Sequence, residues 1–146
     1  MEFRRDIFSV STDKQKLDIG FIHRELAGSY WAKDIPADTV KRSVENSLCF
    51  GLYADGKQIG FARVISDYAT FGYLADVFVT ESFRGRGLSK WLMEIIMDHP
   101  QLQGLRRFML ATKDAHGLYL KSGFKPLEFP ERLMEITRPG MYSSGS

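Results

Sequence analysis

Residues 71–100 constrain the fold more than any other stretch. The aromatic and β-branched run Phe71–Val79 reads as a strand, and the turn Arg84-Gly85-Arg86-Gly87 leads from it straight into a helix. Leu88, Trp91, Leu92, Ile95 and Ile96 carry the helical spacing, and His99-Pro100 ends it, because the residue before a proline is disfavoured in the α region. The first N–H groups of such a helix have no internal partners and lie at the positive end of its dipole, so the turn suits an anion. Gly85 and Gly87 keep side chains out of the way, while Arg84, Arg86 and Lys90 add positive charge. The G-x-x-x-x-G-K-[S/T] pattern is absent and no G-x-G-x-x-G follows the first strand, which favours a phosphorylated ligand other than a hydrolysed nucleotide or a dinucleotide.

Around this unit the pattern predicts a strand over Ile7–Val10, then a helix capped by Asp18 with Ile19, Ile22 and Leu26 on one face and Gly28 as its stop. Pro36 is placed in the first turn of a second helix, which carries Val40 and Val44 one turn apart. Leu48–Tyr53 and Gln58–Ile65 read as a hairpin around Ala54-Asp55-Gly56-Lys57. Arg107–Thr112 reads as a buried strand, Ala115–Lys121 as a short helix stopped by Gly123, and Phe124–Leu127 and Arg132–Ile136 as the last strands. The order is that of one mixed α/β domain. At 146 residues there is room for one core, so residues 1–139 are expected to form the domain and the polar residues 140–146 a mobile tail.

With 20 Lys+Arg against 18 Asp+Glu, the net charge of +2 is too small to build a nucleic-acid binder from charge. Cys49, the single cysteine, cannot form an internal disulfide, which fits a reducing compartment. No stretch approaches the ~18–20 apolar residues of a spanning helix, so a soluble, cytoplasmic protein without a membrane partner is expected. His23, His99, His116 and Cys49 show no metal-ligand spacing, and no metal is expected. His99, at a helix end, is expected to interact with the last carbonyls, and Cys49 to be a buried apolar residue.

Two motifs carry a family resemblance: Arg84-Gly85-Arg86-Gly87-Leu88-Ser89 behind Val77-Phe78-Val79, and Leu118-Tyr119-Leu120-Lys121-Ser122-Gly123-Phe124. Together, in this order, they resemble the acetyl-CoA loop and the Leu-Tyr-x-x-x-Gly-Phe signature of the GCN5-related N-acetyltransferase (GNAT) superfamily. The similar element order extends the resemblance over roughly residues 3–137. It implies a twisted, mixed but mostly antiparallel sheet of six to seven strands flanked by about four helices. It also implies acetyl-CoA as co-substrate, held by Val77, Phe78, Val79, Arg84, Gly85, Arg86, Gly87, Leu88 and Ser89. Ser89 stands where Gly or Ala is usual in the family and brings an extra hydroxymethyl group into the pocket.

The implied activity is acetyl transfer to an amine of a small molecule or peptide, by direct attack in a ternary complex, in a monomer or homodimer. Acyl transfer from a thioester needs a neutral nucleophile, stabilisation of an oxyanion and a proton for the thiolate. By the resemblance, a bulge in the strand before the loop frees the main chain of Val77 and Val79, and Tyr119 matches the family's proton donor. Asp76 interrupts an apolar strand beside this position; it either accepts the amine's proton or pairs with an arginine or a backbone group. Tyr30, Trp31, Phe71 and Tyr73 are candidate acceptor walls, with packing as their other reading, and His116, three residues before Tyr119, is a candidate relay or substrate contact or else a surface residue. A protein that binds acyl-CoA as a sensor without turning it over is the alternative.

Overall fold

The computed structural model describes residues 1–143; positions 144–146 of the expected tail lie outside the described residues. The strands β1 (Glu2–Arg5), β2 (Phe8–Ser11), β3 (Leu48–Ala54), β4 (Lys57–Ser66), β5 (Phe71–Val79) and β6 (Arg107–Leu110) form one sheet in chain order. All neighbours are antiparallel except β5 and β6, which are parallel. The helices α1 (Ile19–Ala27) and α2 (Ala37–Glu45) connect β2 to β3, α3 (Leu88–Met97) connects β5 to β6, and α4 (His116–Lys121) follows β6. This is the mixed α/β, mostly antiparallel arrangement expected.

Alternation along the central strands sends their side chains to two cores. Phe50, Leu52, Ala62 and Val64 pack with Leu88, Leu92, Met93 and Ile96 of α3 on one face. Cys49 and Phe61 pack with Ile22 and Leu26 of α1 and Val40 and Val44 of α2 on the other. Each fully buried Leu, Ile, Phe or Met contributes ~1.5–3 kcal/mol over exposure, so the two faces clamp the sheet between helices. The Asp18 side chain accepts a hydrogen bond from Phe21 N–H and caps α1 as its sequence predicts, whereas Pro36 sits one place earlier than expected, at the N-cap of α2.

The structure differs from the sequence reading at both ends. A strand at Glu2–Arg5 was not expected; it pairs with β2 through a turn in which Asp6 takes φ 55°, so pairing rather than apolar pattern makes it a strand. Phe124–Leu127 and Arg132–Ile136 are not strands, because neither gains a hydrogen-bonded neighbour in the sheet.

His99 is 5% exposed, and its Nδ1 accepts a hydrogen bond from Gln101 N–H at 3.1 Å. It therefore caps the turn that follows rather than the carbonyls of α3, since that acceptor must be an unprotonated ring nitrogen. Burial, with a smaller push from the N-terminal ammonium, lowers the pKa of His99 from 6.5. The neutral ring is the folded form, so its stabilisation is complete above pH 6.5 and is lost as pH falls through the depressed folded value. The thermal midpoint should fall on acidification below pH 6.5, and His99→Asn, whose amide oxygen can accept the same bond, should remove that part of the fall.

Candidate active site

The site begins with a break in register between β4 and β5. Phe61 faces Phe78 and Arg63 faces Ala75, so Asp76 and Val77 together stand opposite Ala62. Asp76 is the bulged residue, in the left-handed region at φ 56°, a conformation Asp tolerates better than most residues. Next to the bulge, β4 approaches closely: a Cβ on Gly60 would lie 2.8 Å from the carbonyl oxygen of Phe78. On the opposite side, β5 pairs with β6 only from Phe71 to Leu74, so residues 75–79 run on beyond the end of β6 with no strand beside that edge. A cleft of about 980 Å³ opens there.

At the end of β5, Gly87 takes φ 74° at the N-cap of α3 and supplies no side-chain cap, leaving the first amides of the helix open to a ligand. Gly85 also has positive φ, at 79°, and a Cβ at either glycine would meet nothing within 4 Å, so conformation rather than space demands glycine. Arg84 donates through Nε to the Val79 carbonyl at 2.9 Å and thereby ties the loop to the strand. The Arg86 guanidinium lies 5.1 Å from the Phe83 ring centroid. Ser89 lines the cleft.

Asp76 is nearly buried, and both of its oxygens are engaged. Arg63 Nε donates to Oδ2 at 2.8 Å and Trp31 Nε1 donates to Oδ1 at 2.9 Å. Arg63 also donates to Ser47 Oγ at 3.0 Å, and Ser47 Oγ donates to the Ser43 carbonyl at 2.7 Å. One polar chain thus joins the end of α2, β4, the β5 bulge and the loop between α1 and α2. Arg63, Ser43 and Thr39 line the cleft and were not found by sequence reasoning. The available signal was an arginine inside the apolar run of β4.

Tyr30 reaches the opposite lip. Its hydroxyl accepts from Lys113 N–H at 3.2 Å, the Lys113 Nζ lies 5.4 Å from its ring centroid, and its ring packs edge-on against Trp31 at 5.2 Å. The aromatic pair therefore bridges the mouth of the cleft, Trp31 bonded to β5 and Tyr30 to the chain after β6. Tyr73 and Tyr119 line the same cleft. Tyr119 packs against the larger core and near Phe124, and burial, with the Tyr30 phenol and Asp114 adding, pushes its pKa above the usual phenol value.

Of the expected site residues, the cleft collects Tyr119, Asp76, Val77, Phe78, Val79, Arg84, Ser89, Tyr30, Trp31 and Tyr73. Gly85, Arg86 and Gly87 form the turn between Arg84 and α3, and Leu88, the first residue of α3, is buried. Phe71 and His116 lie outside it. Phe71 starts β5, five residues or about 16 Å from the bulge, and His116 is exposed on α4 beside a separate cavity of about 380 Å³. Cys49 is 1% exposed and burial pushes its thiol up to about 11, which makes it a core residue and a poor nucleophile.

The profile of the Acetyltransferase (GNAT) family matches residues 16–124. A protein from Xanthomonas campestris pv. campestris, assigned to acetyltransferases of the GNAT family, shares 61% identity, with a TM-score of 0.91 over 93% of this chain and 96% of that one. A Gibberella zeae protein assigned as an acetyltransferase is 34% identical over 81% of this chain and 78% of its own length. An acetyltransferase from Clostridium acetobutylicum, solved with acetyl-CoA, shares the fold at 12% identity, with a TM-score of 0.62 over 94% and 96% of the two chains. With its fold, its glycine turn and its sequence all agreeing, the chain belongs to the GNAT family and is an acyltransferase.

Proposed function

We propose that the protein moves an acetyl group from acetyl-CoA to an amine of a small molecule or peptide, by direct attack with both substrates bound. The observation that carries this reading is the cleft, which joins an uncapped helix N-terminus, a strand edge with no strand beside it and a tyrosine in one groove. Those features fit acetyl-CoA. The first amides of α3 match a pyrophosphate, and the free edge of residues 75–79 offers N–H and C=O groups to an amide-bearing pantetheine arm. When bound, acetyl-CoA supplies an activated carbonyl and a thiolate leaving group.

The chain's own residues do the rest. The main chain of Val77 and Val79 serves the thioester end, with a backbone N–H near Phe78 or Val79 where negative charge on a carbonyl oxygen would be stabilised. Tyr119, with its pKa raised by burial, holds its proton on Oη through the neutral range and offers it to the departing sulfur. Asp76 holds Trp31 and Arg63 in place with both oxygens occupied, so it acts as a positioning residue, and the amine loses its proton to water. Tyr30, Trp31 and Tyr73 wall the acceptor end, and the acid there is already matched by Arg63, which favours an acceptor with apolar or aromatic character.

Acetyl-CoA at 100 times its dissociation constant should stabilise the fold by ~2.7 kcal/mol, a rise of roughly 5–10 °C in the thermal midpoint. No rise would remove the co-substrate assignment. A panel of alkylamines, arylamines, amino acids and peptides, read by thiol release and product mass, should include a productive acceptor. A midpoint rise without thiol release from any of them would instead establish the sensor reading.

A further inference from the structure

We propose that Tyr142 is a specificity-determining residue that covers the acceptor end of the cleft and restricts the acceptor to a compact small-molecule amine with an apolar or aromatic body. The inference rests on the acetyl-transfer reading and narrows its substrate class. It starts from a contrast in exposure near the end of the chain. Every residue from 125 to 141 is exposed, and then Tyr142 turns inward, half-buried, to line the cleft. Among the described residues, Tyr142 joins neither hydrophobic core, so packing of the fold does not account for that inward turn.

The local sequence dictates the return of the chain. Pro139 and Gly140 occupy the two central positions of a turn closed by Met141 N–H on the Arg138 carbonyl at 3.2 Å, and Gly140 takes φ 68°, which glycine adopts at that place without strain. A second turn follows, with Ser143 N–H donating to the Gly140 carbonyl at 3.1 Å. The segment is then fastened to the loop between α1 and α2, where Ser143 Oγ donates to Asp34 Oδ2 at 2.8 Å. Asp34 is itself held, at φ 62° with its N–H donating to the Ala27 carbonyl at 3.0 Å. The same loop carries Tyr30 and Trp31, so the anchor brings Tyr142 to their end of the cleft.

Tyr142 thereby adds a ring to Tyr30, Trp31 and Tyr73 from a separate stretch of chain. Tyr30 and Trp31 keep 57% and 46% exposure, which leaves their surfaces available to a ligand. Rings of this kind favour an apolar or aromatic partner. Size sets the second limit. The cleft of about 980 Å³ lies within the ~300–1,000 Å³ typical of a site for one ligand, and acetyl-CoA shares it, so the room left is that of a compact acceptor. A peptide would have to leave the cleft where Tyr142 and Ser143 cross. The anchor is one exposed hydrogen bond, weak enough to open and admit a small amine.

The test compares the wild type with Tyr142→Ala, Tyr142→Phe and Ser143→Ala on phenethylamine, benzylamine and a lysine-bearing peptide, read by thiol release. Tyr142→Ala should raise KM for the two small amines by about 10-fold, more than it changes kcat, because a wall that holds ground and transition states alike acts through KM. The peptide should gain on the small amines in kcat/KM by a similar factor. Tyr142→Phe, which restores the ring, should return KM towards the wild-type value, and Ser143→Ala should raise it in the same direction as Tyr142→Ala but less. The rise in thermal midpoint with acetyl-CoA should be equal in all four proteins, which a general loss of structure would not allow. Unchanged KM and selectivity in Tyr142→Ala, or a wild type that prefers the peptide to both amines, overturns the proposal and leaves acetyl transfer standing. Absence of thiol release from the wild type with every acceptor removes the acetyl-transfer reading itself and the proposal with it. If Tyr142→Ala loses its fold, Ser143→Ala decides, since it deletes only an exposed hydroxyl, and an unchanged KM there overturns the proposal.

Discussion

Tyr119→Phe is expected to lower kcat by roughly 10²–10⁴-fold, with little change in acetyl-CoA affinity or thermal midpoint. The substitution keeps the ring that packs near Phe124 and against the larger core and removes only the hydroxyl. No hydrogen bond to that hydroxyl exists among the described residues, so folding should not register its loss. Because burial raises the phenol pKa above 10, the wild-type enzyme should also lose no activity to Tyr119 ionisation as pH rises towards 10. Near-wild-type kcat in Tyr119→Phe would assign the proton to solvent or to another group.

The second large effect is expected at the Arg63–Asp76 pair, whose side chains are 15% and 9% exposed. Arg63→Met should destabilise the protein by about 3–5 kcal/mol, because it leaves a nearly buried carboxylate without its cation. Asp76→Ala should cost a similar amount, strand the guanidinium instead and place a residue that disfavours φ 56° at the bulge. Asp76→Asn should be milder, since asparagine tolerates that conformation and its oxygen can still accept from Trp31 Nε1. The pH–rate profile of Asp76→Asn separates the two roles. A positioning residue leaves the acidic limb where it was and raises KM for the acceptor, as the asparagine NH2 cannot accept from Arg63 Nε and the Arg63 side of the cleft loosens. A base would take the acidic limb away together with kcat.

The strand–turn–helix unit from Phe71 to Met97 was legible in the sequence because every signal in it is local. Period-2 and period-3.6 apolar spacing, glycines that accept positive φ and a proline that stops a helix act within a few residues. The same holds for the Asp18 cap, the hairpin around Asp55-Gly56 and the placing of Tyr119 on a short helix after β6. These features carried both the fold class and the glycine turn at the start of α3.

The Tyr30–Trp31 end of the cleft was decided by contacts between residues far apart in the chain. Trp31 meets Asp76 across 45 positions and Tyr30 meets Lys113 across 83, because the bulge turns Asp76 toward the loop after α1 and β6 stops at Leu110. Periodicity could mark Asp76 as unusual but could not name Arg63 as its partner, since the pairing depends on a register shift between β4 and β5. Phe71 and His116 were candidates by type and spacing, yet strand length and the position of α4 put them outside the cleft. The ends of the sheet show the same division. Glu2–Arg5 has little strand pattern but finds an edge to pair with, whereas Arg132–Ile136 has apolar residues for a strand and finds none within the chain. A strand exists only when its backbone groups are paired, so tertiary structure, not composition, made one segment a strand and kept the other from being one.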